Sequence, residues 1–233
     1  PMLKGKVARV IFECQRLLVP LMESLEGVDQ VVGRESAEAS PSAPEFDLHV
    51  PLQCLPGIFK TELSNVPNAV PYLKVGEELL SQWAARVNSD GLKKVGLVWS
   101  GPSDGARANR VEMFAPLAGI GGVKFFSLQI GPESVQPRPA GLDVVDLTTD
   151  IGDLPAVISQ MDLIISVDSP VAHLAGALGR PVWLLAACLP AYQWMLARTD
   201  SPWYPTMRIF RQTKYEDWAG PIGEVAAALK ELK

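Results

Sequence analysis

The chain has 233 residues, enough for one large or two small domains, and its 48% hydrophobic and 20% charged residues describe a globular protein with ample apolar surface to bury. A formal net charge of -5 with no clustered run of Lys and Arg excludes a nucleic-acid groove, because neutralising phosphates needs a stripe of cations. No apolar stretch reaches the roughly 18 residues of a membrane span, and the scattered Cys14, Cys54 and Cys188 fit neither a disulfide framework nor a metal site, which leads us to expect a reducing, cytoplasmic setting.

The N-terminus lacks the basic-then-apolar pattern of a signal peptide, and a chain opening on Pro1 is expected to be a piece, or the ordered part, of a longer protein. The β-branched run 7–12 (VARVIF) predicts a first strand. Residues 15–25 then set Leu17, Leu18, Leu21, Met22 and Leu25 on one helical face, with Pro20 kinking or shortening the helix. Gly27 ends it, and 28–32 reads as a short strand. A loop rich in Ser, Ala, Glu and Pro covers 34–45, followed by an expected strand at 46–50. Pro67 and Pro71 make 63–75 an extended connector, since proline fixes φ and removes a donor.

Beyond the connector the pattern becomes regular. A helix is predicted over 77–87, a strand over 95–99 ending in Ser100-Gly101, and a short helix over 111–117. Strands follow at 125–128 and 144–147, a helix at 155–161, and strands at 163–167 and 182–185 with a helix between them. Apolar strands alternating with helices predict a parallel sheet covered on both faces. The fold class is therefore α/β, with two Rossmann-like domains, the N-terminal one incomplete at its start. We expect boundaries at 1–66 for the first domain, 67–75 for the linker and 76–233 for the second.

The segment DLIISVDSPVAHLAGALGRPVWLL, residues 162–185, carries the clearest chemistry. Ser169 is placed to cap a helix that has Pro170 at its first position, and Asp168 sits where the preceding strand ends. His173 follows within about a turn and a half. Ligands of open α/β sheets bind outside the carboxyl ends of the strands, and a helix N-terminus there offers N–H groups and partial positive charge to phosphate. Asp168 suits sugar hydroxyls, because a carboxylate accepts from two donors, and His173 suits a diphosphate. The competing readings are a plain helix cap for Asp168 and a satisfied, partly buried imidazole for His173. His49 reads as a packing residue near the cleft.

These residues resemble the C-terminal half of GT-B-type glycosyltransferases, in particular the bacterial tetratricopeptide-associated family related to heptosyltransferases. The chain is more distantly similar to the O-linked N-acetylglucosamine transferases. The resemblance runs through VPYL (70–73), KVGLVWSG (94–101), FFSLQIGP (125–132), VDSPVAHLAGALGRPVWLL (167–185) and DSPWYPTMRIFRQ (200–212). It implies a nucleotide-diphosphate-sugar donor as substrate, no cofactor and no metal. It also implies a glycan, lipid or protein acceptor and an upstream tetratricopeptide region. Asp168, Ser169 and His173 match the family's donor turn, and Trp99, Ser100 and Gly101 match the loop facing the cleft. Arg110 matches a position that counters phosphate charge, with a solvated loop arginine as the alternative; Gln129 lies in a strand-end loop near the base. Trp203 and its neighbour Tyr204 either line the donor pocket or pack a proline-rich loop.

The chain departs from that family in three places. The Gly-rich loop with an acidic residue that opens the family's N-terminal domain is not found, so no general base is assigned. The loop after Gly101 keeps Arg107 and Arg110 but has Val111 where relatives carry Ser. Pro190, Ala191, Tyr192, Gln193 and Trp194 stand where relatives have Pro-Asp-Trp-Arg-Trp. Sugar transfer and a catalytically silent nucleotide- or partner-binding module are therefore both open. A nucleotide-sugar epimerase is a weaker third reading, because it needs more cleft carboxylates than Asp168.

Overall fold

The computed structural model describes residues 1–34, 44–101, 111–147 and 151–232. β1 (Ile11–Gln15) and β2 (Gln30–Arg34) form a two-stranded parallel sheet with Ile11 opposite Gln30, joined through a 3-10 turn at Arg16–Leu18 and the short α1 (Val19–Met22). Both strands start later than the sequence pattern predicts. Asp29 sets the start, since its carboxylate accepts from the Val10 N–H while its own N–H donates to the Val10 carbonyl. The helix expected over 15–25 contracts to its middle, with Pro20 in the first turn, where a missing N–H costs nothing.

No strand forms over 46–50. Phe46, Leu48 and Val50 are exposed, Leu48 at 83%, because a β-prone run needs a partner edge and no described strand lies beside it. A 3-10 turn at Leu52–Cys54 and α2 (Leu55–Ile58) follow, and 63–75 is irregular. Within that connector the Lys74 N–H donates to Ser24 Oγ and its ammonium pairs with Glu26, tying it back to the first unit.

The remainder is built around a six-stranded parallel sheet. After α3 (Glu77–Arg86) come β3 (Lys93–Val98), a 3-10 helix at Val111–Leu117, β4 (Val123–Ser127) and β5 (Val144–Asp146). Then follow α4 (Leu154–Ser159), β6 (Leu163–Val167), α5 (Pro170–Ala177) and β7 (Val182–Ala186). β8 (Met207–Arg211) and α6 (Ala219–Glu231) close the fold, and the sequence pattern assigns neither of them. The strand order is β5-β4-β3-β6-β7-β8, with every pairing parallel.

Strand side chains alternate between two cores, as the two-residue period of a pleated strand requires. Val98, Phe126, Ile164, Leu184 and Ile209 face α3, α4 and α5. Trp99, Phe125, Ile165, Leu185 and Phe210 face the 3-10 helix and α6. Since both faces are covered, β6 and β7 are buried at every position, which explains their nearly unbroken apolar sequences. Among the described residues no helix is long and apolar enough to cross a membrane.

The strand order also decides where a ligand can sit. From β3 the chain winds outward to β4 and β5, then returns to place β6 against the other side of β3. Strand order therefore reverses between β3 and β6, and at such a switch point the loops diverge and open a crevice beyond the strand ends.

Candidate functional site

Three strand ends meet at the switch point. β3 leads into Trp99, Ser100 and Gly101, β6 into Asp168 and Ser169, and β4 into Gln129. The β3 and β6 loops touch: a Cβ on Gly101 would lie 2.3 Å from the Asp168 carbonyl oxygen. Only glycine allows that approach, which accounts for the Ser-Gly at the end of β3.

Gln129 organises the β3 loop. Its Oε1 accepts from the Trp99 N–H at 3.0 Å and the Ser100 N–H at 2.9 Å. Its Nε2 donates to the Ser100 carbonyl at 3.1 Å and the Ile130 carbonyl at 3.0 Å. All four hydrogen-bonding positions of the amide are thus occupied by backbone. Gln129 clamps the loop and has nothing left for a nucleobase, the role its sequence position suggests. The Trp99 side chain is likewise internal: its ring is fully buried, its indole N–H donates to the Glu133 carbonyl at 3.2 Å, and the Arg138 guanidinium covers it at 4.5 Å.

On the β6 side a hydroxyl chain fixes the turn. Ser166 Oγ donates to the Val167 carbonyl at 2.7 Å and lies 2.9 Å from Ser169 Oγ. With its own proton committed to that carbonyl, Ser166 accepts from the Ser169 hydroxyl. Ser169 has the extended backbone of an N-cap, and its Oγ accepts from the Ala172 N–H. It is 4% exposed, so it shapes the turn from below.

Asp168 and His173 are the two polar side chains of the turn that remain partly open, at 27% and 40% exposure. Asp168 Oδ1 stands 3.9 Å from His173 Nε2, too far for a hydrogen bond but close enough to feel its charge. His173 Nδ1 lies 3.0 Å from the Tyr204 hydroxyl, and its ring stacks on Trp194 with centroids 4.9 Å apart. Burial lowers the His173 pKa from its ordinary value, and the Asp168 charge opposes that only in part. The imidazole is therefore neutral at neutral pH, with one N–H to offer.

The structure thus brings Trp99, Ser100, Gly101, Gln129, Asp168 and Ser169 together at the adjoining ends of β3, β4 and β6, with His173 early in α5. Trp203 packs against the core that lies on the α5 side of the sheet, and its buried indole nitrogen has no hydrogen-bond partner among the described residues. Arg110 and Arg107 lie outside the described residues. Sequence reasoning does not single out Trp194 or Tyr72 as site residues and leaves Tyr204 with two alternatives. One signal for Tyr204 is present: Gly176, on the same helical face as His173, leaves space for an aromatic ring, and a Cβ there would lie 2.5 Å from Tyr204 Cγ. Among the described residues no group of three or more His, Cys, Asp or Glu is placed to hold a metal ion. A groove of about 500 Å³ lined by Pro71, Leu73, Leu80, Ser159 and Leu178 lies past the C-terminal end of α5, away from this turn.

The family model described as Glycosyltransferase family 9 (heptosyltransferase) matches residues 138–185, a span that encloses β6, the turn, α5 and nearly all of β7. Protein FlbA of Caulobacter vibrioides is 29% identical over 181 residues, covering 71% of this chain. The chain spans only 30% of the length of that relative. Among solved structures, the glycosyl transferase family 9 protein of Veillonella parvula is similar with a TM-score of 0.49 at 17% identity, over 69% of this chain and 54% of that one. E. coli ADP-heptose lps heptosyltransferase II gives a TM-score of 0.49 at 18% identity, over 71% and 56% of the two chains.

Proposed function

We propose that this chain forms the donor half of a glycosyltransferase, holding a nucleotide-diphosphate-sugar at the Asp168–His173 turn for transfer to a glycan, lipid or protein acceptor. The observation that carries the proposal is a coincidence of two independent markers. The stretch matched by the family 9 model contains the turn, and the same turn flanks the point where strand order reverses. On this reading 76–233 is the donor domain, 67–75 the linker and 1–66 part of the acceptor side, with a tetratricopeptide region upstream. The three free thiols suit work in a reducing cytoplasm.

The chemistry divides between two sites. At the donor, the bond between the anomeric carbon and the diphosphate oxygen breaks, and negative charge grows on the leaving diphosphate. The His173 N–H and the positive end of α5 stabilise that charge, and the neutral imidazole does so without needing a proton from solvent. Asp168 accepts hydrogen bonds from sugar hydroxyls and so orients the anomeric carbon. At the acceptor, a base must take the hydroxyl proton; we assign that role to no residue of this chain.

A second reading, a module that binds nucleotide without turnover, is favoured by how many site residues are committed to structure. Gln129, Ser169 and Trp99 all spend their polar atoms on the protein itself.

Calorimetric titration with ADP, UDP, GDP and CDP tests the proposal. One of the four should bind, and Asp168→Ala and His173→Ala should each weaken it about tenfold or more, equivalent to roughly 1.4 kcal/mol. Binding indifferent to both substitutions removes the turn from the site. Binding with neither transfer nor hydrolysis of the matching nucleotide-sugar selects the silent module.

A further inference from the structure

The His173 ring is held on three sides. Tyr204 meets Nδ1, Trp194 stacks on the ring face, and Asp168 stands toward Nε2. Tyr204 is itself held in place, because its ring lies against Gly176. A neutral imidazole carries a single N–H, and its neighbours decide which nitrogen bears it.

The two arrangements differ sharply here. With the proton on Nδ1, that N–H donates to Tyr204, and the Nε2 lone pair is turned toward the Asp168 carboxylate. Two acceptors then face each other at 3.9 Å. With the proton on Nε2, both ring nitrogens are matched: the Tyr204 O–H donates to Nδ1, and the Nε2–H faces Asp168. Burial, reinforced by the adjacent Tyr72, pushes the Tyr204 phenol far above its ordinary range, so it retains the proton it must donate.

We infer that Tyr204 is a positioning residue that locks His173 in the Nε2–H tautomer, so that the single donor of the imidazole is aimed at the anionic group of a ligand in the crevice beyond β6. The identity of that group as a diphosphate rests on the proposed function, whereas the tautomer does not. The connector also meets the helix that carries His173, since Tyr72 donates its backbone N–H to the Ala177 carbonyl at 3.0 Å.

The protein has two histidines, His49 and His173, so long-range 1H–15N spectra of the full chain resolve both rings. At about pH 8, above the ordinary histidine range, His173 should show a protonated Nε2 and a hydrogen-bonded, unprotonated Nδ1. In Tyr204→Phe, which keeps the ring that packs on Gly176, the two tautomers should become mixed while the His49 signals stay unchanged. A wild-type spectrum with the proton on Nδ1 overturns the inference without any variant. So does a Tyr204→Phe spectrum identical to wild type. Whichever of ADP, UDP, GDP and CDP binds then provides a separate arm: Tyr204→Phe should weaken its binding about three- to tenfold, or roughly 0.7–1.4 kcal/mol. If the wild-type protein binds none of the four nucleoside diphosphates, the proposed function fails while the tautomer assignment stands or falls on the spectra.

Discussion

β1 and β2 pair through five residues and β6 and β7 through four, all in parallel. Yet β6 and β7 are buried at every position, while β1 and β2 contain no buried residue. The sequences do not foretell this contrast, since Val31 and Val32 are as β-prone as Ile164 and Ile165. What differs is cover. β6 and β7 have strands on both sides and helices on both faces, whereas among the described residues β1 and β2 have one strand partner each and a single short α-helix between them. Among the described residues before Leu73, only Leu21 belongs to the buried core. A strand pair becomes a stable platform through the layers around it, and a site that needs fixed geometry is better supported by the six-stranded sheet.

Core truncation tests the contrast most severely. Ile165→Ala should cost about 2–5 kcal/mol, since its side chain is fully buried in the core that the sheet shares with the 3-10 helix and α6. Val31→Ala in β2 should cost under about 1 kcal/mol, as expected for a partly exposed site. Urea unfolding midpoints measure both, and equal losses would break the comparison.

Two glycines give a smaller but sharper version. Gly101→Ala must force the β3 and β6 loops apart, because the new Cβ would meet backbone at 2.3 Å. It should cost about 1–3 kcal/mol and abolish nucleotide binding. Gly57→Ala in α2 meets nothing within 4 Å and should be neutral or stabilise by about 0.4–1 kcal/mol. Thermal melts with calorimetric binding separate the two outcomes.

The smallest effect concerns pH. At and above about pH 7.5 the His173 imidazole is neutral in folded and unfolded chains alike and adds no pH dependence. Below its ordinary value the unfolded chain takes up a proton that the buried ring resists, so stability falls as pH drops, until the lowered folded pKa is passed. Melting temperatures from about pH 7.5 to 5.5 should therefore decline more steeply in wild type than in His173→Gln. A parallel decline would mean that the ring gains no protection from the fold.

Much of the candidate site is legible in the sequence. The apolar pattern places the 163–167 strand at its observed ends, and Ser169 as N-cap before Pro170 follows from side-chain chemistry acting over three residues. The nearly unbroken apolar runs of β6 and β7 also announce burial on two faces. These features depend on neighbours a few positions apart, which a sequence displays directly. The strand expected at 46–50 fails for the opposite reason: propensity states what a segment tolerates, and pairing depends on whether an edge is present.

The roles of Gln129 and Tyr204 belong to the same nonlocal class. Gln129 reaches Trp99 and Ser100 across 30 and 29 positions, and Tyr204 reaches His173 across 31. Strand order brings these residues together, and it converts one amide from a candidate ligand contact into a clamp and one tyrosine with two alternative readings into the partner of an imidazole. The capped turn and its polar residues are written in the local sequence, because caps and strand ends are made by adjacent groups. That the turn faces a switch point between β3 and β6 is instead a property of the assembled sheet, because it depends on how distant strands pack.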